Sequence, residues 1–461
     1  MKRGAPAKLR RATADLFPIG AVPTVFLLMA LLTGIMVALR EPPATDADMV
    51  LWTFSNTHYD SFKQTVPEFE ARHAPLDIEL QLVNVRVLDR RLRAAMWAGL
   101  DVPGLVEVNF NRAGTFFRGP VDEVGFIDLT PYLQRTDDAG VSYMDRILPS
   151  RLAVYTNRGR IFGLPHDVHP HTIAYRKDIF DAEGIDVDAI ETWDQFIAVG
   201  RKLTIPDKRY MIQLDDVGVL SFEALLLQRG GGFFNKEGEL TIDNEVAIET
   251  MLWFVPLVAG PDRIADNPAA EGQSFYKAVA DGYVLSFLCP DWLTSKIEMN
   301  LPQLHGKMAL MPMPAVEPGG RRTTARSGTM LGITTATTDP EQAWELARFL
   351  YFDREQTGTR FRTTNTIPPN RDAWDHPAFH EPRAYWSGQR IGEVYIELAD
   401  QAPTQYSHPF QEIAAAKVAE VIAASCAYYR EHGEEGFDAF VRQALVDRAR
   451  AVRLQMQRNR F

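Results

Sequence analysis

The chain has 461 residues, a formal net charge of −11 at pH 7 and a hydrophobic content of 46%. This length accommodates two domains of ordinary size, each with its own apolar core. The acidic balance argues against a nucleic-acid partner, because proteins that bind nucleic acids present basic surfaces to the phosphates.

The N-terminus combines a basic segment with a long uncharged one. Residues 1–15 carry five Lys or Arg and one acid, and no charged residue occurs from Leu16 to Leu39. A helix of that length would be about 36 Å long at 1.5 Å per residue, enough to span the hydrocarbon core of a bilayer, which is about 30 Å thick. We therefore expect a cytoplasmic segment at 1–15, a transmembrane anchor at 16–39, a linker at 40–48 and an exported remainder. A cleaved signal segment, which leaves the protein free in the periplasm, is the alternative.

The segment after residue 48 alternates strands and helices. Residues 49–54 predict a buried strand with a polar loop at 55–58, and the helix that follows is expected to break or restart at Pro67. Further strands are predicted at 78–82 and 105–109, with a helix between them. This alternation is typical of β-α-β units in a mostly parallel sheet, where ligands bind beyond the carboxyl ends of the strands.

A segment near residue 165 predicts a crossing between two halves of the fold. Two X-Pro pairs favour extended backbone, so we expect a continuous strand over 165–175. A short helix over 176–183 follows, closed by a glycine. Thr192 and Gln195 then form a capping-box pattern at the start of another helix. The order is therefore a hinge strand, a short helix, a loop and a capped helix.

Several motifs along the chain resemble one known family. They are GRIFGLP at 159–165, TWDQF at 192–196, WAGLDVPGLV at 97–106, DLTPYL at 128–133, GGGFFNKEGELTID at 230–243 and AVADGYVLSFLCPDW at 278–292. Together they make the chain similar to the maltose-type (family 1) extracellular solute-binding proteins of ABC importers. The resemblance covers roughly residues 49–452.

The resemblance implies an α/β fold of the periplasmic-binding-protein type, with two discontinuous lobes joined by a hinge. We expect the first lobe to contain residues 49–164 and 315–352. The second lobe is expected to contain residues 165–314 and 353–461. The predicted N-terminal transmembrane helix would precede both.

The resemblance also implies a function. It implies binding of a small polar solute outside the cytoplasm, most often a sugar or an oligosaccharide, for delivery to an ABC-type permease in the membrane. A membrane-tethered ligand sensor for a signalling partner is the alternative. The sequence contains no nucleophile elbow, Walker loop or HExxH pattern. We therefore expect a monomeric binding protein, not an enzyme, with no cofactor.

The predicted ligand site gathers polar and aromatic residues at strand ends and at the hinge. It consists of Asn56, His58, Asn109, Phe110, Asn111, His166, Asp167, Phe233, Asp291, Trp292 and Arg326. Trp292 ends a buried apolar run, and the resemblance implies that its ring stacks on the apolar face of a sugar. Core packing is the alternative role for the two phenylalanines, and a loop hydrogen bond is the alternative for each polar residue.

Histidines and cysteines leave two further interpretations open. The crossing segment holds histidines at 166, 169 and 171 beside Asp167, a composition found at metal sites. On an extended strand the second and third histidines share a face while the first faces away, so we expect no metal site. Cys289 and Cys426 either form a disulfide or are two separate buried thiols.

Overall fold

The computed structural model describes residues 21–38, 47–269 and 272–458. The first of these ranges is helix α1 (Ala21–Ala38), and the chain from Asp48 onward forms one compact unit. Within the described ranges no helix is both long enough and apolar enough to cross a membrane. The predicted cytoplasmic segment lies outside the described residues.

From Asp48 to Pro165 the chain alternates short strands with helices. The elements are β1 (Met49–Thr53), α2 (Asn56–Arg72), β2 (Ile78–Leu82), α3 (Val85–Ala98), β3 (Leu105–Asn109), α4 (Phe110–Phe116), α5 (Thr130–Leu133), α6 (Tyr143–Arg146), α7 (Pro149–Leu152), β4 (Thr156–Asn157), β5 (Arg160–Ile161) and β6 (Leu164–Pro165).

Helix α2 corrects two of the sequence predictions. It continues through Pro67, so the predicted break at this residue is wrong. Phe62, Val66 and Phe69 on one face of α2 are buried, and their packing holds the turns on both sides of the proline in one helix. The predicted loop at 55–58 is also wrong, because α2 begins at Asn56.

The rest of the chain is richer in helix. Its elements are β7 (His171–Arg176), α8 (Lys177–Ala182), α9 (Trp193–Leu203), β8 (Ile212–Gln213), α10 (Leu220–Gln228), α11 (Glu245–Val258), β9 (Ala265–Asp266), α12 (Gln273–Ala280), β10 (Ser286–Pro290), α13 (Asp291–Asn300), β11 (Met308–Pro312), β12 (Thr329–Ile333), α14 (Pro340–Phe352), α15 (Arg354–Thr364), α16 (Ile391–Ala399), α17 (Gln411–His432) and α18 (Phe437–Arg458). The capping box that was predicted at the start of α9 is confirmed, because the Thr192 and Gln195 side chains each bond to the other residue's backbone.

The longer strands form two five-stranded sheets. The first sheet has the order β2-β1-β3-β12-β6, and the second has the order β11-β7-β10-β8-β9. In the first sheet β1 is parallel to β2 and β3, while β12 is antiparallel to β3 and β6. In the second sheet β7 is antiparallel to both of its neighbours. Strand β12 therefore returns the chain to the first sheet after the second sheet is complete.

Each sheet lies between two apolar layers. Along β1, Leu51 faces one core cluster and Trp52 faces another, as alternation along a strand requires. Along β7, Ile173 and Ala174 likewise face different clusters. Helices cover both faces of each sheet, and the result is two α/β lobes. We call the lobe around the first sheet the first lobe and the lobe around the second sheet the second lobe.

The crossing between the sheets is not a continuous strand. β6 pairs with β12 in the first sheet, β7 belongs to the second sheet, and residues 166–170 connect them without strand pairing. His169 has φ of 54°, in the left-handed region that a strand cannot pass through. The predicted strand over 165–175 is therefore wrong.

The two cysteines lie in different core clusters. Cys289 is on β10 and Cys426 is on α17, and both are fully buried and unpaired. Of the two interpretations left open by the sequence, the structure supports two separate buried thiols.

Candidate ligand-binding cleft

The carboxyl edge of the first sheet carries two capped helix starts. After β1, the Ser55 hydroxyl accepts a hydrogen bond from the backbone N–H of His58 and caps α2. At the end of β3, the Asn109 side-chain oxygen accepts from the N–H of Asn111 at 3.1 Å and caps α4. Because β1 and β3 are parallel neighbours, both helix starts lie at the same edge of the sheet.

A cavity of about 450 Å³ lies between this edge and the second lobe, and we call it the Trp292 cavity. The first lobe contributes the chain from Phe54 to His58 together with Asn109. The second lobe contributes His169 and one side of α13, including Trp292. The indole of Trp292 is half-buried, and the Lys296 ammonium lies 4.4 Å from its ring centroid.

Two further cavities share lining residues with the Trp292 cavity or with each other. The Arg326 cavity, of about 400 Å³, shares Phe54, Val85 and Asn109 with the Trp292 cavity. The Phe233 pocket, of about 190 Å³, shares Gln411 with the Arg326 cavity. The three cavities share lining residues along the boundary between the lobes, and we call them together the cleft. An indole lines one of them, and phenylalanine rings line another.

Most charged groups in and beside the Arg326 cavity are paired. The Arg326 Nε donates to Glu223 at 2.7 Å, and the Gln411 side-chain amide donates to the other oxygen of the same carboxylate at 3.0 Å. Arg112 pairs with Glu412 and lies 3.6 Å from Asp89. These pairs leave little net charge to attract an ionic ligand.

A buried ionic network lies behind the Trp292 cavity. The His169 ring bonds through Nδ1 to Asp291 at 2.5 Å and through Nε2 to Asp167 at 3.0 Å. Burial disfavours the charged imidazolium, but the two carboxylates outweigh this and raise the pKa of His169 to about 9. Burial likewise opposes ionisation of Asp167, yet His169 and His166 hold the pKa of Asp167 well below its usual range. The network links the crossing segment to the start of α13.

A second buried group joins the crossing segment to the first sheet. Glu107 lies 2.9 Å from the His58 Nδ1 and accepts the Thr53 hydroxyl at 2.5 Å. Burial raises the pKa of Glu107, but His58 in particular outweighs burial and lowers it to about 2. His166 stacks on the His58 ring at 3.8 Å, and burial, with His58, lowers the pKa of His166 to about 3.

His58, Glu107 and His166 are close enough together to be tested as a metal site, since one ligand atom of each lies within 4.8 Å of the others. The two imidazole planes are only 21° apart and stacked. A metal ion binds an imidazole nitrogen in the plane of the ring, at about 2.1 Å. Two stacked, nearly parallel rings offer no such common position, so this geometry does not fit a shared ion.

The structure distributes the predicted site residues along the cleft and behind it. Asn56, His58, Asn109 and Trp292 line the Trp292 cavity. Asn109, Asn111 and Arg326 line the Arg326 cavity, and Phe110 and Phe233 line the Phe233 pocket. His166, Asp167 and Asp291 are fully buried and belong to the networks behind the cleft.

Several cleft residues were missed by the sequence analysis. They are Lys296, Glu223, Gln405 and Gln411, along with His169 as a cleft residue. Lys296 follows Trp292 by one helical turn, and this spacing was the only sequence signal for any of them. The others reach the cleft through contacts between segments that are far apart in sequence.

Comparisons with known proteins give consistent matches. The family model of bacterial extracellular solute-binding proteins matches residues 55–357. The arabinooligosaccharide-binding protein of Halalkalibacterium halodurans is 26% identical over 77% of this chain and 79% of its own length. That of Bacillus subtilis is 23% identical over 83% of this chain and 88% of its own. The sugar-binding protein MalE from Xanthomonas citri, at 15% identity, matches the fold with a TM-score of 0.72 over 89% of this chain and 98% of its own.

Proposed function

Because the chain belongs to the bacterial extracellular solute-binding proteins, we propose that it binds a neutral oligosaccharide outside the cytoplasm and delivers it to an ABC-type importer. Two relatives that bind arabinooligosaccharides by name support the class of ligand. The observation that carries the proposal is the cavity between the lobes that is lined by Trp292 and by polar side chains of both lobes.

The chemistry of the cleft fits a neutral sugar chain. Trp292 offers an aromatic surface for the apolar face of a sugar ring. Asn109 and Asn111 carry amide groups, which both donate and accept hydrogen bonds with hydroxyls. The charged side chains Arg326 and Glu223 neutralise each other, which favours an uncharged ligand over an acidic or basic one.

A thermal-shift screen tests the proposal directly. The panel contains arabinose oligosaccharides, maltose oligosaccharides and lactose, with nucleotides and amino acids as negative controls. A ligand at 100 times its Kd adds about 2.7 kcal/mol to the unfolding free energy, which is easily measured as a rise in Tm. Failure of every sugar to raise Tm would refute sugar binding, and hydrolysis of a bound sugar by the purified protein would refute a purely binding role.

Delivery to an importer is tested in cells. Deletion of the gene should abolish uptake of the sugar found in the screen, because the permease receives its substrate from the binding protein. The sensor alternative predicts a different result, in which uptake persists and induction of sugar-dependent genes is lost. We propose that the protein acts as a monomer, which light scattering of the purified protein checks.

Binding outside the cytoplasm also requires export, for which residues 16–39 are the predicted signal. Mass spectrometry of the protein from membrane and soluble fractions distinguishes the two forms of this proposal. An intact N-terminus in the membrane fraction supports a tether. A shortened chain in the soluble fraction supports a cleaved signal.

We propose further that the lobes divide as the sequence predicts, with residues 49–164 and 315–352 in the first lobe and residues 165–314 and 353–461 in the second. Supporting this division, the core clusters of the second lobe draw on residues up to Val452. Crystal structures with and without the sugar test the boundaries. Rotation of these segments as two rigid bodies is expected, and rotation about other positions would contradict the division.

A further inference from the structure

Helix α3 presents a basic surface on a protein that is acidic as a whole. The helix contains four arginines and one acid, whereas the chain carries a formal net charge of −11. The acid, Asp89, is buried and lies 3.3 Å from Arg93 and 3.6 Å from Arg112. All four arginines are exposed, and they are Arg86, Arg90, Arg91 and Arg93. The exposed side of α3 therefore carries positive charge and no carboxylate.

The same segment exposes an unusual share of hydrophobic side chains. From Asp48 onward, twelve large hydrophobic side chains among the described residues are exposed, and five of them lie within residues 82–100. Trp97, in the last turn of α3, is 91% exposed, and Leu100, just past the glycine cap, is 67% exposed. Clustered exposure of this kind marks an interaction surface. We call the exposed side of residues 85–100 the α3 surface.

The α3 surface ends at the edge of the first sheet where the chain enters the lobe. A Cβ on Gly104 would lie 3.5 Å from the side chain of Met49, the first residue of β1. Trp97 and Val102 line one cavity just before this point. Two arginines and two acids also line that cavity, so the positive excess lies along the helix itself. A tether on the N-terminal side of Asp48 therefore attaches at the edge that carries Trp97.

The chemistry of the α3 surface matches that of an anionic bilayer. Guanidinium groups pair with lipid phosphates, and each basic residue near an anionic bilayer strengthens binding about fivefold. Exposed indoles favour the boundary between lipid headgroups and acyl chains, and a neighbouring leucine adds apolar area. The rest of an acidic protein is repelled by such a bilayer, so a single basic surface also fixes the orientation of the protein.

We propose that the α3 surface binds a bilayer that contains anionic phospholipids, with Trp97 and Leu100 entering the headgroup region. Arg90 is the clearest phosphate ligand, because its guanidinium has no partner among the residues that the structure describes. The contact is peripheral and reversible, since a few arginines and one indole supply only a modest attraction. It keeps the first lobe at the membrane surface, and it does not depend on the identity of the sugar.

Electron paramagnetic resonance of a spin label on the α3 surface tests the proposal with the full chain. Ala98→Cys provides an exposed labelling position, because both native cysteines are buried. The labelled protein is mixed with vesicles of phosphatidylcholine alone or with an equal part of phosphatidylglycerol. Only the vesicles with phosphatidylglycerol should shield this label from a water-soluble nickel chelate. A label at Val446→Cys, on the exposed side of α18, should stay accessible in both.

Two substitutions on the α3 surface should weaken the contact. Arg90→Glu and Trp97→Ala, each combined with the label at residue 98, should lower the lipid affinity about fivefold or more. Arg450→Glu is the matched control, because it makes the same change of charge at an exposed position of α18. It should bind the vesicles as the parent protein does. Thermal melts confirm that each variant is folded.

Equal accessibility of the residue 98 label in the two kinds of vesicle would overturn the inference. A loss of affinity as large in Arg450→Glu as in Arg90→Glu would also overturn it, because overall charge would then explain the binding. Shielding of the label without vesicles, increasing with protein concentration, would assign the α3 surface to a second copy of the chain instead. Failure of every sugar to bind would reject the proposed function and leave this inference standing.

Discussion

At the scale of single residues, Trp292 has two kinds of contact. Its ring lines the Trp292 cavity and also packs against the second lobe's core, and it is neither fully buried nor fully exposed. The Lys296 ammonium lies near the ring. A ring held in this way is fixed in orientation before a ligand arrives, which lowers the cost of stacking.

Trp292→Ala should weaken sugar binding more than it weakens the fold. Loss of an aromatic platform is expected to cost about 1–3 kcal/mol of binding, by analogy with other stacking surfaces, or roughly five- to a hundredfold in Kd. The loss of stability should stay below the 3–5 kcal/mol that is typical of a buried tryptophan. Calorimetry and urea unfolding measure the two effects. Trp97→Ala is the control, because Trp97 is 91% exposed and lies outside the cleft.

If Trp292→Ala bound sugar with unchanged affinity and lost several kcal/mol of stability, the residue would belong to the core, and the stacking role would be wrong.

The protein should become less stable in mild alkali, because His169 loses its charge there. Its pKa rises from 6.5 to about 9 on folding, because Asp167 and Asp291 outweigh burial. Protonated His169 therefore adds roughly 3 kcal/mol to the unfolding free energy at pH values below 6.5. This contribution is lost as the pH rises through 9. Urea unfolding between pH 6 and 10 should therefore show a decline in wild type that is much smaller in His169→Gln.

His432→Gln, at an exposed site near the end of α17, is the control for this pH series and should retain the decline of wild type. Equal slopes for wild type and His169→Gln would show that the histidine is not held charged by its two carboxylates.

The sequence predicted individual cleft residues where local order decides their position. Asn109 is the last residue of β3 and Trp292 lies two residues after the end of β10, so the strand predictions also placed them at a sheet edge. The role of His169 could not be predicted in this way. It depends on one left-handed residue in the crossing segment and on Asp291, which is 122 residues away in sequence.

At the scale of secondary-structure elements, local signals predicted helix starts better than helix interiors. Thr192 and Gln195 form the capping box that their spacing indicates. Pro67 shows the opposite case, since its intrinsic penalty predicted a break that the buried face of α2 prevents. Caps depend on a few adjacent residues, whereas the continuity of a helix depends on what packs against it.

Thr192→Ala should destabilise the second lobe modestly. The substitution removes the side-chain oxygen that accepts from the Gln195 N–H at the start of α9. Loss of an N-cap costs about 0.5–2 kcal/mol, which urea unfolding resolves. Lys202→Ala, at an exposed position of the same helix, should change the unfolding free energy by about 0.5 kcal/mol or less. A loss no larger than in this control would mean that the cap contributes nothing to the fold.

At the scale of the whole molecule, α4 of the first lobe and the residues just after it contact the start of α17 and the chain before it in the second lobe. Arg112 pairs with Glu412, and the Arg118 guanidinium donates to the Pro409 carbonyl at 2.9 Å. The partners in both contacts are about 300 residues apart in sequence. No periodicity or motif could have predicted them, although the resemblance to a two-lobe family implied that some such closing contact exists.

Gly114 sets how closely the two lobes approach. A Cβ on this residue would lie 2.7 Å from the His408 carbonyl oxygen, which is backbone and cannot turn away. Residue 114 has helical backbone, so alanine is compatible with α4, and Gly114→Ala should leave the first lobe folded. The added methyl group should instead destabilise the closed arrangement of the lobes by about 1–3 kcal/mol, because it overpacks the contact with residue 408.

Gly114→Ala should therefore weaken sugar binding roughly five- to a hundredfold while the melting temperature without ligand changes little. Small-angle X-ray scattering at saturating sugar should give a larger radius of gyration for this variant than for wild type, because the added methyl group keeps the lobes apart. Gly104→Ala serves as the control at the opposite edge of the first sheet and should close as wild type does. If Gly114→Ala matched wild type in both affinity and radius of gyration, the contact between α4 and residue 408 would not be part of the ligand-bound form.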